Sequence, residues 1–443
     1  DVTGSILSVN DTLDLSTGTF SSSNSSVLKL QSATTLSSSN PVSFGNVNFE
    51  GNVLTLGSSS TQLNLTDANT AFILSGNTIE TGLGSLSLSG ALSLSNEAQL
   101  NSSGGTITLQ SGGSVASGST LSLPNTTLVL QSPLSIASST LKASNTTFTT
   151  NSNALTLSGS TLEIAGTQNL SGVVPDSTSI LRLAGDSTVN SSVALSVGSL
   201  ALEDFALTLD DTMAGLNVSQ VVTLDASTER IISGAADLTL GGGITVSAGT
   251  LSSSGGTLAA PSLSLGAAGT INIEGGTLTL PAGATAVSGA TFTTSGTTIQ
   301  LGGNLNLADS WTSTNTNLSL TANTELSSTS AVEASTLETN GFDFKLGSET
   351  SDLTISTGLT INASSQQNIG FDTGLADLTL NGPLTVLGGV ISSSGGTLTF
   401  GTDSGATSFV GNSVMQLSDT TLVLNTNINV NYLKLSGSSS LQT

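Results

Sequence analysis

Residues 236–258 read ADLTLGGGITVSAGTLSSSGGTL, and residues 376–398 read ADLTLNGPLTVLGGVISSSGGTL. Aligned without a gap, the two stretches agree at 16 of 23 positions at an offset of 140. In each copy, Leu, Ile or Val alternates with Thr or Ser until a glycine interrupts. Period-two alternation puts the apolar side chains on one face of a strand and the hydroxyls on the other. Threonine favours strands through its branched β-carbon. The same x-L-x-L pattern recurs along the chain, as at Leu54-Thr55-Leu56, Leu155-Thr156-Leu157 and Leu422-Val423-Leu424. No stretch carries a helical stripe, so the chain reads as all-β.

The spacing of these motifs separates the all-β architectures. First apolar residues fall at Leu63, Leu86, Ile107 and Leu128, in steps of 23, 21 and 21. They fall again at Leu238, Leu258, Leu278, Ile299 and Leu318, in steps of 20, 20, 21 and 19, and Leu378 to Leu398 is another 20. Self-similarity at a period in the twenties is the signature of a solenoid, each repeat being one coil. A sandwich of antiparallel strands shares the alternation but gives no reason for a gap-free copy at a multiple of the motif spacing. The expectation is one continuous parallel β-helix over residues 1–443, with about 20 residues per coil and strands about 4.8 Å apart. On that reading the offset between the copies is seven coils, and the same coil geometry asks for the same residues. Corners need residues that tolerate positive φ, which fits SSSGG (252–256 and 392–396), EGG (274–276) and SSGG (102–105). Prolines number only seven, as suits strands whose N–H groups must nearly all donate.

Composition narrows the function classes. Serine (79), threonine (67) and glycine (50) dominate. Such segments often stay disordered for want of apolar surface, but 36% of residues here are hydrophobic. Acids outnumber bases 29 to 6, a net charge of −23, which argues against a basic face for nucleic acid or anionic membrane. The chain has no histidine and no cysteine, which excludes zinc clusters of the usual kind, His-based triads and disulfides. No apolar run reaches the ~18 residues that span a bilayer. A first residue of Asp1 instead of Met fits a leader already removed.

Segment 163–237 departs from the Ser/Thr/Gly texture. It holds ten of the 29 acids and both arginines. Its charges read as longer solvated loops within the solenoid, or as a contact patch formed by Glu203, Asp204, Asp210, Asp211, Arg182 and Arg230. Carboxylate pairs can hydrolyse glycosides, but adjacent residues of a strand point to opposite faces, so Asp210 and Asp211 do not converge. The expectation is no enzyme, no catalytic residue and no resident cofactor, with calcium as a candidate bridging ion for the scattered acids. Thr-x-Thr pairs such as Thr147/Thr149 and Thr291/Thr293 recur too irregularly for an ice-binding face. The unique Trp311 and Tyr432 read as corner or core fillers sooner than as sugar platforms.

Stretches such as GTINIEGGTLTLPAGATAVSGATFTTSGTTIQLGGNLNL (269–307) resemble bacterial secreted β-helical proteins: autotransporter passengers, filamentous-haemagglutinin-like adhesins and related surface-filament or S-layer-type proteins. The likeness is one of texture over most of the chain. It implies a right-handed parallel β-helix on the bacterial cell surface, in adhesion, display or structure. The sequence departs from those families in several places. The NPNGI/NPNL-type secretion motif is absent, GNVNFEGNV (45–53) being a faint echo, and no aromatic-rich barrel segment is present. The GHG and RIK motifs of β-helical polygalacturonases are absent too.

Two functions remain: a structural subunit or stalk of an extracellular filament, sheath or layer, and an adhesin that recognises glycan or a host surface through a lateral face. The ends favour the first. The chain alternates from Ile6, Leu7, Val9, Leu13 and Leu15 onward and still alternates at Val430, Leu433 and Leu435, with no capping helix at either end. Solenoid ends expose open strand edges and core. The expected partner is the chain itself, end to end or side by side, or a continuation into further protein.

Overall fold

The computed structural model describes residues 1–17, 20–58, 61–308, 311–348, 350, 352–362, 370–401 and 408–443. No helix occurs among the described residues. The chain divides into two compact units, Asp1–Ser219 and Gln220–Thr443, and each is a parallel β-solenoid.

In the first unit three short strands make a coil. Gln99–Ser102, Thr106–Leu109 and Gly113–Val115 form one coil, with Thr120–Ser122, Thr127–Leu130 and Leu134–Ala137 stacked on it. The register is parallel and places like on like. Ile79, Leu100 and Leu121 form one inward column, Leu86, Ile107 and Leu128 a second, and Leu94, Val115 and Ile136 a third. All nine are at most 1% exposed. Each strand therefore donates its backbone hydrogen bonds to neighbouring coils and its alternate side chains to one shared core, as a sheet buried on one face requires.

The second unit repeats this scheme. Ile231, Leu251, Ile271, Phe292 and Trp311 make one inward column. Aromatic rings also stack in register: Phe344 lies over Phe371 with centroids 5.3 Å apart. Every apolar step read from the sequence is a cross-coil pair, from Leu63–Leu86–Ile107–Leu128 to Leu238–Leu258–Leu278–Ile299–Leu318 and Leu378–Leu398. Coil length varies more than those steps suggest. In the first unit a short coil links Leu155 to its register partner Val173, and a long one links Val53 to Thr78. In the second a short coil links Met415 to Leu433, and a still longer one links Phe344 to Phe371.

The two copied stretches do not occupy the same face. The column that starts at Leu238 runs through Leu258, Leu278, Ile299, Leu318, Leu337 and Leu359 to Leu384. Seven coils thus carry this column past Leu378 to Leu384, the counterpart in the second copy of Ile244, one strand further on. Leu378 instead stands on Leu353 and Val332, in a different column. The second copy is displaced by one face, because the intervening coils are on average slightly longer than the sequence spacing suggests.

The copies match because the same corner serves two different faces, at Ser253 and at Ser393. Ser102, Ser253 and Ser393 each donate a hydroxyl hydrogen to the carbonyl two residues on, at 2.6, 2.7 and 2.6 Å. The second glycine of each corner has φ of +71°, +64° and +69° at Gly105, Gly256 and Gly396. A β-carbon at Gly396 would lie 2.6 Å from the Leu375 carbonyl oxygen, so both conformation and space demand glycine. Buried hydroxyls join coils at such corners: Thr126 to Ser102 at 2.9 Å, Thr294 to Thr316 at 2.8 Å and Thr420 to Ser393 at 3.0 Å.

Each unit also has a place where strands run round a corner without a break. In the first unit these are Thr161–Asn169 and Ile180–Asn190, with a register shift between Ile164 and Gly166. In the second they are Val332–Glu338 and Asp352–Ile361, with a shift between Ala334 and Thr336.

Candidate functional site

Outward positions stack by the same register as the core, so a charge on one coil meets its neighbour about 4.8 Å away. In the first unit this builds one polar column: Glu80, Asn101, Ser122, Lys142, Glu163 and Arg182. Asn101 donates to Glu80 at 2.8 Å. The Lys142 ammonium lies 3.4 Å from Glu163 Oε1, and the Arg182 guanidinium donates to Glu163 Oε2. Glu163 is therefore gripped from both sides, and its side chain is only 15% exposed. Beside it lies a hollow of about 150 Å³ lined chiefly by Pro124, Ala143, Ile164, Ala165 and Ala184.

The second unit carries the opposite pattern. Glu325, Lys345 and Asp372 share one outward column, continued by Ser392, Gln416 and Lys434. Lys345 Nζ lies 3.6 Å from Glu325 Oε2. The first unit thus presents cation–anion–cation and the second anion–cation–anion, one charge per coil.

Most other acids have structural partners. Asp186, Asp237, Asp343, Asp377 and Asp419 each accept a hydrogen bond from a backbone N–H of the next coil, at 2.6–2.9 Å. At a corner such an amide has no strand partner, and a carboxylate or amide side chain supplies one. Asp14, Asp67, Asp176 and Asp210 close turns, and the hydroxyls of Ser16, Thr70, Thr178 and Thr212 hold their carboxyls below the usual range. The Lys29 ammonium, 3.2 Å away, does the same for Glu50.

The patch read from the sequence is distributed over this framework. Arg182 belongs to the charged column and aligns with Ala201 on its other side. Glu203 and Asp204 are the two central residues of a turn closed by the Phe205 N–H donating to Leu202 O, both with positive φ (+52° and +71°) and both exposed. Asp210 accepts from the Thr212 hydroxyl, and Asp211 is exposed beside it. Arg230, in the second unit, opens the strand Arg230–Ile232 and aligns with Thr250. Among the described residues no three acids converge on a point where a metal ion could sit.

The unique aromatics separate. Trp311 is buried, packs against Phe292 at 6.1 Å, and donates its indole N–H to Thr294 Oγ1 at 3.0 Å. Tyr432 is 59% exposed on the last described coil. That coil also exposes inward-type positions: Leu433, Leu435 and Leu441 are 38–53% exposed, although they stand in register on buried Met415, Leu417 and Leu422. A lateral hollow of about 340 Å³ in the second unit is lined by small residues such as Gly242, Thr245, Ser264 and Thr285, with no charge or aromatic ring among them.

Sequence reasoning passed over the column Lys142–Glu163–Arg182. Its signal was present, because opposite charges at positions 142, 163 and 182 follow the coil period. No protein-family model, curated protein or solved structure matches this chain.

Proposed function

We propose that the chain is a structural protein, a stalk or subunit of an extracellular filament, sheath or layer on a bacterial cell surface, and that it extends by adding coil on coil at its ends. One observation carries this reading. Leu433, Leu435 and Leu441 continue the core columns and lie open, on strands with no further coil beyond them among the described residues. At the other end the strand Ile6–Val9 has Val27–Leu30 as its partner among the described residues, with inward Leu7 half-buried and Val9 buried. An open strand edge beside an open apolar core is completed by another parallel coil, whether supplied by further protein of the same chain or by a second copy. The net charge of −23 suits solubility in a salty exterior setting. The resemblance to secreted β-helical surface proteins supports the same setting. An adhesin would use the lateral hollow at Thr245, Ser264 and Thr285, which lacks the aromatic platform that glycan recognition favours.

Electron microscopy of the purified chain over a range of concentrations tests this. Linear rods that lengthen with concentration are expected, and Leu435→Asp should shorten them while leaving the circular-dichroism β signal intact. Single units of fixed length at every concentration would overturn the proposal.

A further inference from the structure

We propose that the two charged columns are the complementary halves of a side-by-side contact between copies: Lys142, Glu163 and Arg182 of one copy face Glu325, Lys345 and Asp372 of another. The chain has only six bases against 29 acids, and three of the six sit in these two triplets, each in register with an acid. One triplet carries a net positive charge and the other a net negative one. Both present one charge per coil, so their repeats coincide, and opposite charges fall opposite one another at all three positions. Each triplet reads the same in both directions, so the match holds whether the two axes run parallel or antiparallel.

Two further features favour a second copy over another occupant. The apolar hollow beside Glu163, lined by Pro124, Ala143, Ile164, Ala165 and Ala184, is ground that a protein face covers, and excluding water there strengthens the adjacent ion pairs. A polyanion such as an acidic glycan would meet Lys142 and Arg182 but would be repelled by Glu163 between them. The contact is independent of end-to-end growth. Length reports the latter and width the former.

The test is raft width by electron microscopy and association by sedimentation velocity, at low and high salt. The wild-type chain should form paired or rafted rods at low salt that separate as salt screens the contact. The triple variant Lys142→Glu, Glu163→Lys, Arg182→Glu keeps opposite charges adjacent within its column, so it should fold. It should nonetheless need at least about tenfold more protein to associate laterally. The triple variant Glu325→Lys, Lys345→Glu, Asp372→Lys should behave likewise. A one-to-one mixture of the two variants, or one chain carrying all six changes, should restore pairing. The milder Lys142→Gln/Arg182→Gln variant, checked for wild-type circular dichroism, should weaken pairing in the same direction. Pairing unaffected by either triple variant would overturn the proposal, as would failure of both the mixture and the sixfold variant to restore it. Wild-type rods that never pair would do so as well. Leu435→Asp, which shortens rods, should leave lateral pairing in place.

Discussion

The two places where strands run unbroken round a corner solve one backbone problem with different chemistry. In the second unit the bend at Ala334–Thr336 is stitched by hydroxyls: Ser335 bonds Thr357 at 2.8 Å, and Thr336 donates to Asn317 at 2.8 Å. Beyond it the inward positions are the apolar Leu337 and Leu359. In the first unit the bend at Ile164–Gly166 needs a positive-φ glycine, and the next inward position is Gln168. Gln168 is fully buried. Its Nε2 donates to Ala165 O at 3.0 Å, while its Oε1 has no partner among the described residues. A bend can therefore be closed at the surface by hydroxyls or in the core by an amide, and the second route leaves an orphaned acceptor. The first unit's bend should be the weaker.

The largest effects should come from the apolar columns that both bends share. Leu181→Ala and Leu353→Ala each empty a fully packed position and should cost about 2–5 kcal/mol. In a solenoid the damage stays with nearest neighbours, so hydrogen exchange should accelerate in the coils flanking the substitution within its own unit. Next come the bend glycines. Gly166 has φ +71°, and a β-carbon there would clash with Asn145 Oδ1, so Gly166→Ala should cost roughly 1–2 kcal/mol. Gly358 meets nothing closer than 3.5 Å, so Gly358→Ala should be neutral or stabilising by up to about 1 kcal/mol. Equal losses at both glycines in urea unfolding would erase the contrast between the bends.

Gln168→Leu should stabilise the first unit by about 1 kcal/mol, since it removes an orphaned acceptor at the cost of one hydrogen bond. Leu359→Gln should destabilise the second unit by more. Acid should separate the units further. Asp14, Asp67, Asp176 and Asp210, all in the first unit, have folded-state pKa values below their unfolded ones. Their contribution is present above the ordinary carboxylate value near 4 and is lost as pH falls through the lowered values. Exchange protection at those turns, corrected for the intrinsic pH dependence of amide exchange, should fall on acidification from pH 6 to pH 2, and Asp176→Asn should flatten that dependence locally. The smallest effect is expected at an exposed ion pair: Lys345→Ala should shift stability by less than about 1 kcal/mol.

The strands and their stacking were legible because the residues that repeat are those that stack. Leu86, Ile107 and Leu128 announce both their alternation and their period. The displacement of the second copy was not legible. Corners on different faces carry the same Ser-Ser-Gly-Gly sequence, as at Ser253 and Ser393, so sequence alone cannot say which face a copy occupies. The bends were hidden for a related reason, since Ala165-Gly166 and Ser335-Thr336 look like any other small-residue corner. The triplet Lys142–Glu163–Arg182 could have been found from its spacing. Glu325–Lys345–Asp372 could not, because the step from Lys345 to Asp372 is much longer than the usual coil.

Cross-linking the faces tests the central claim of a parallel solenoid with interchangeable faces most directly. The chain has no cysteine, so engineered pairs report without background. Thr360 aligns with Thr385, and Thr354 with Thr379, all at outward, half-buried positions. Neighbouring parallel strands lie within the Cα separations a disulfide spans. On mild oxidation, Thr360→Cys/Thr385→Cys and Thr354→Cys/Thr379→Cys should each form an intramolecular disulfide, whereas Thr360→Cys/Thr379→Cys should not. Efficient closure of the 360/379 pair with failure of the 360/385 pair would put the second copy on the same face as the first and contradict the register described here.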